Sequence, residues 1–158
     1  MPTILLAVAV VISLVSSRDV AGPLPFEIPV LQRLNGTISP SEGHRLHIVT
    51  IAVGDEGMSA DVREFTLVTS RGTRTPIGAG WNGDSIIPFD RIPLGREVGQ
   101  VLPTNALLAL NRTSSTHVTV ELGPHGTIAF LFEVPLEAKV RALRLSDGRE
   151  LAVNMELR

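Results

Sequence analysis

The sequence predicts an all-β fold, an antiparallel sandwich, on three observations. Short runs alternate large apolar residues with smaller or polar ones at a period of two, most clearly Ile128, Phe130, Phe132 and Val134 in the stretch GTIAFLFEV. Turn signals such as Asn35-Gly36, Ser70-Arg71-Gly72 and Ser146-Asp147-Gly148 separate such runs at short intervals. No long, strongly amphipathic helical stretch competes with them.

Taken in order, the first seventeen residues carry no charged side chain, and the apolar run Ile4–Val15 has the length of a signal-peptide core and is short for a bilayer span. Val15 and Ser17 are small enough to precede a cut that leaves Arg18 at the mature N-terminus. A buried first strand or an uncleaved anchor is the alternative, because the leader lacks Lys and Arg. The expected organisation is a signal peptide at 1–17, an extended N-terminal segment at 18–43 and a sandwich at 44–158, with a secreted or periplasmic destination and no stable membrane span once the leader is gone.

Three prolines in Ala21–Pro29 make that segment an extended edge piece or linker. Leu46–Val53, rich in β-branched residues, is expected as a strand buried on both faces, ended by the acidic loop GDEGMSAD. Residues 63–77 read as strand, turn and strand, with Phe65 and Leu67 on one side. From Gly78 to Pro103, glycine and proline dominate, which predicts a long loop with short extended pieces such as SIIPF. Val118, Val120 and Leu122 alternate, and Gly123-Pro124-His125-Gly126 is expected to turn the chain into the strand at 127–134. A short turn or helical corner at 136–139, a strand through Leu145, the Asp-Gly turn and a last strand at Leu151, Val153, Met155 and Leu157 complete the series.

With 158 residues, 44% apolar and 19% charged, the chain suits one domain with its own core. The absence of cysteine removes disulfides, thiol nucleophiles and Cys-based metal sites. A net charge of −2 without clustered basic residues, and 4% aromatic residues, argue against nucleic acid as a partner. Of fourteen basic residues only Lys139 is lysine, a bias that reads as GC-rich bacterial coding.

FTLVTSRGTRTPI, ELGPHGTIAFLFEVP and LRLSDGRE resemble the pattern of small secreted bacterial immunoglobulin-like domains of the telokin-like type, the mycobacterial immunoprotective extracellular antigen group. The likeness covers residues 44–157 and implies an immunoglobulin-like sandwich; it implies no activity and no catalytic residues. The Gly/Pro segment at 78–103 departs from its simplest form.

Motifs for chemistry are sparse. GAGWNG at 78–83 matches a dinucleotide fingerprint in letters, but Pro76, Pro88 and Pro93 leave no room for the required helix, so a flexible loop is expected. His44 and His47, three apart, fall on opposite faces of a strand, and the four histidines, with His117 and His125, are expected to be solvent-facing. Asp55, Glu56 and Asp61 lack calcium-loop spacing and suit a solvated turn. No G-x-S-x-G pentapeptide occurs, and the sequons at Asn35 and Asn111 are close to chance. The lone Trp81 suits a plug at one end of a sandwich; exposed, it would be a partner contact together with Asn82 and Asp84. The sequence therefore predicts an exported, noncatalytic binding or structural module without catalytic residues, metal or cofactor, whose partner is another envelope or extracellular protein. The alternative is a small metal-binding or hydrolytic envelope protein with a site assembled across strands. Nothing in the sequence sets an oligomeric state.

Overall fold

The computed structural model describes residues 12–26, 36–61, 64–81, 85–89, 110–112, 118–145 and 147–155. These form fifteen strands: β1 (Ile12–Val20), β2 (Leu24–Phe26), β3 (Gly36–Ile38), β4 (His44–Val53), β5 (Met58–Asp61), β6 (Thr66–Thr69), β7 (Gly72–Arg74), β8 (Gly78–Trp81), β9 (Ile87–Pro88), β10 (Leu110–Arg112), β11 (Val118–Leu122), β12 (Thr127–Pro135), β13 (Val140–Arg144), β14 (Glu150–Ala152) and β15 (Asn154–Met155). The fold is all-β, as predicted, and its sheets are antiparallel apart from the short parallel pair β1–β15.

The central sheet has the order β15-β1-β4-β12-β8-β9, with β4 and β12 in the middle. Both bury apolar side chains on each of their two faces. Val49, Ile51 and Val53 of β4 and Ile128, Phe130, Phe132 and Val134 of β12 join Phe65, Leu67 and Leu143 in the main core. The last three come from the second sheet and its approach, β14-β13-β6-β7, so the two sheets share one apolar layer. Phe130 lies at its centre, 4.7 Å from Phe65 and 6.4 Å from Phe132 between ring centroids. The other face of the central sheet holds a smaller cluster of Leu46, Ile48, Leu131 and Ile86, with Leu24 of β2 and Ile38 of β3 against it. The strand expected at 46–53 and the period-two face of 127–134 are both observed.

Two hairpins follow the turn chemistry. β6 and β7 are joined at Ser70-Arg71, where the Thr69 hydroxyl accepts from Arg71 N at 3.0 Å and donates to Gly72 O at 2.8 Å. β13 and β14 pair through the Asp147-Gly148 turn, and Arg144 meets Glu150 across it at 2.7 Å. The corner expected after β12 is a turn at 136–137, although β13 ends at Arg144.

The turn expected at Gly123–Gly126 is observed, with Gly126 N donating to Gly123 O, and the strands it joins have other partners: β11 pairs with β5 and β12 with β4, so the ribbon β4–β12 continues past a corner as β5–β11. Both strands bend together there, with Val53 N donating to Gly126 O and His125 N to Gly54 O. Gly57 permits it, since at φ +72 an added Cβ would lie 2.3 Å from Leu122 O. One expectation is corrected: the loop expected from Gly78 begins too early. Gly78–Trp81 is an inner strand of the central sheet, paired with β12 through Leu131↔Gly78 to Ile128↔Trp81. Small residues are favoured here because Ile87 and Pro88 approach the backbone, and a Cβ on Gly78 would meet Ile87 O at 2.8 Å.

Candidate functional site

Strand register shows why a cavity forms on the outer face of the central sheet. Residues directly opposite in an antiparallel ladder share a face. One row across that face is Ser16, Thr50, Ala129 and Gly80, and beside it lie Ala52 and Thr127. Small side chains in adjacent rows leave a trough. The neighbouring row, Arg18, Ile48, Leu131 and Gly78, places the bulky Ile48 at one wall. Leu24 and Pro25 of β2 and the segment Ser85-Ile86 complete a cavity of about 330 Å³, at the low end of the ~300–1,000 Å³ usual for small-molecule sites. Its polar lining is Arg18 with the hydroxyls of Thr50, Thr127 and Ser85, and its apolar lining includes Ile48, Ile86 and Ala129. The half-buried Arg18 guanidinium has no hydrogen-bond or ion-pair partner among the described residues.

A polar cluster occupies the inner face at the other end of the same strands. Asp19 on β1 is in register with His47 on β4, and Arg45 lies two residues before His47 on that face. Asp19 Oδ1 accepts from His47 Nδ1 at 2.6 Å and from Arg45 Nε at 3.0 Å. The rest of the Arg45 guanidinium donates to three carbonyls of the β12–β13 corner, Pro135 O and Leu136 O from Nη1 at 2.8 and 3.0 Å and Ala138 O from Nη2 at 2.9 Å. One arginine thus ties β1, β4 and the corner together. His47 is 0% exposed, and its Nε2 has no hydrogen-bond partner. Burial pushes its pKa below the usual 6.5, with Arg45 adding to that and Asp19 opposing it. Burial raises the Asp19 carboxyl, but the hydrogen bonds from His47 and Arg45 and the Arg45 charge outweigh it and hold the pKa below 3.8. The His–Asp pair has the form of a base and its orienting acid, and the buried Ser17 lies on the same strand face as Asp19. A general base needs its second nitrogen within reach of a substrate, whereas His47 Nε2 is enclosed. The arrangement can hold strands together; it does not present a base to solvent.

The expectation that all four histidines face solvent is therefore corrected at His47, which is fully buried on the inner face of β4 beside its register partner Asp19. His44, half-buried, has its Nδ1 3.0 Å from Glu42 O, and His125 is exposed beside Asp55 at 2.9 Å. His117 lies outside the described residues. Among the described residues, no three His, Asp or Glu side chains are grouped to hold a metal ion. Among the same residues, no helix is long and apolar enough to cross a membrane. Trp81 ends β8 in register with Ile128; its side chain, and all of Asn82 and Asp84, lie outside the described residues. By chain connection these three sit between Gly80 and Ser85, which both line the cavity. The sequence reading placed interest near this segment but missed Arg18, Thr50 and Thr127. Their shared face becomes apparent only once the register of β1, β4 and β12 is known. The expected cut after Ser17 falls within β1 and would remove Ile12–Ser17 from a strand that pairs with β4 from Ile12 to Val20.

No family model matches the chain, and no curated protein or solved structure matches it.

Proposed function

We propose that the protein is an exported, noncatalytic immunoglobulin-like module whose work is binding. The observation that carries this reading is the outer-face cavity, which presents a cation and hydroxyl groups beside apolar walls. The immunoglobulin-like part draws on the resemblance in the sequence and on two sheets that share one apolar layer. Segment 78–89 brings its Gly80 and Ser85 to the cavity, and Trp81, Asn82 and Asp84 are the proposed contacts for a second, larger partner in the envelope or outside the cell. Capture from envelope extracts tests this. A specific partner should be retained by the full chain and lost on Trp81→Ala with Asp84→Ala; a partner set indifferent to both changes removes that contact. Export is tested separately by N-terminal sequencing of the protein recovered from each compartment.

The rival reading, a hydrolytic or metal-binding protein, takes its support from the His47–Asp19 pair. Stoichiometric metal in the purified protein, or ester hydrolysis abolished by His47→Gln, would favour it over a binding module.

A further inference from the structure

We propose that the outer-face cavity binds a small organic monocarboxylate with an apolar body, the carboxylate held by Arg18. This rests on the reading of the protein as a binding module and specifies its ligand class.

The charge follows from the lining. A guanidinium offers donors in a fork that fits a carboxylate bidentately, and that of Arg18 is not engaged by any acid among the described residues. Described cavity residues provide one cation and no carboxylate, which suits a single negative charge better than a dianion. Thr50 and Thr127 stand on neighbouring rows of the same face as Arg18 and add hydroxyls to the polar part. The apolar body follows from the other walls. Leu24, Pro25, Ile48 and Ile86 offer a surface that an aliphatic chain or an aromatic ring would desolvate favourably. The size follows from the small-residue rows: a cavity of about 330 Å³ admits a compact acid and excludes a large cofactor.

Calorimetric titration of the full chain with octanoate and with its neutral counterpart octanamide tests the assignment. Octanoate should bind saturably, and octanamide about tenfold or more weakly, because the neutral amide forfeits a charge-assisted pair. Arg18→Gln should bring octanoate down to the level of octanamide and leave the thermal midpoint unchanged; Arg18→Lys should restore part of the difference. Ala129→Leu, which fills the trough, should abolish binding of both probes. Should that variant fail to fold, Thr50→Leu tests the same filling. Equal binding of the two probes, indifference of octanoate to Arg18→Gln, or no saturable octanoate binding would overturn the proposal. Each of those results leaves the binding-module reading in place if capture of an envelope partner persists, whereas turnover of a probe or stoichiometric metal would remove that reading.

Discussion

The two faces of β12 come from the same nine residues and have opposite uses. Its inner face presents Ile128, Phe130, Phe132 and Val134, all 0% exposed. The outer face presents Thr127, Ala129, Leu131 and Glu133, of which only Leu131 is large and fully buried. At Ala129 its neighbours across the sheet, Thr50 and Gly80, are small as well, and the space left over is the cavity. The contrast teaches that a binding site on a sheet can be made by withholding side-chain volume from one face while the other face holds the strands in place.

Truncation on the filled face should break that contrast most severely. Phe130→Ala is expected to cost about 3–5 kcal/mol, because two packed phenylalanine neighbours cannot close the void fully. Ala129→Leu, one residue away, should cost less than about 1 kcal/mol, since the added volume enters existing space. Urea unfolding of the two variants checks both, and comparable losses would mean that the outer face has no room to fill. Next in size is Arg45→Ala, which removes the donor of three carbonyls and of Asp19. A loss of roughly 2–4 kcal/mol is expected, because partly buried acceptors are left without a donor. Arg45→Lys should recover only a fraction, as a single ammonium cannot span those acceptors. Recovery of the full stability by lysine would show that charge alone, without the fork, sustains the corner.

The inner face was legible in the sequence and the outer face was not, for a physical reason. Large apolar residues at alternate positions mark a packed layer wherever their partners lie, so Phe130 and Phe65 could be assigned before any pairing was known. The trough consists of residues that are absent in bulk, and Ala129, Thr50 and Gly80 become neighbours only through register. Asp19 and His47 were hidden in the same way. The run ISLVSSRDV reads in its first residues as the end of a leader, and only the pairing of β1 with β4 brings Asp19 opposite His47. Gly123–Gly126 carries a strong turn signal, yet a turn signal does not reveal whether the flanking strands pair with one another or bend together with other partners. At Gly78–Trp81, glycine content mimics a loop because β9 passes close to the backbone.

The smallest expected effect concerns pH and sharpens the comparison at its polar end. Folding holds His47 neutral by burial, with its pKa below 6.5, while the unfolded chain protonates it near that value. Below pH 6.5 the unfolded state thus binds more protons, and stability falls as pH decreases until the folded-state pKa is reached. Asp19 acts in a separate window: its folded pKa lies below 3.8, so its contribution is complete above that value and is lost only as pH falls further. The other charge facing His47 is Arg45, and Phe132 opposite it on β12 is apolar. His47→Gln keeps an amide donor for Asp19 and removes the titration. Stability measured as the pH is lowered below 6.5 should therefore decline in the parent and flatten in this variant. An identical decline in parent and His47→Gln would show that the acid sensitivity arises elsewhere and that the buried imidazole is not what distinguishes this end of the inner face.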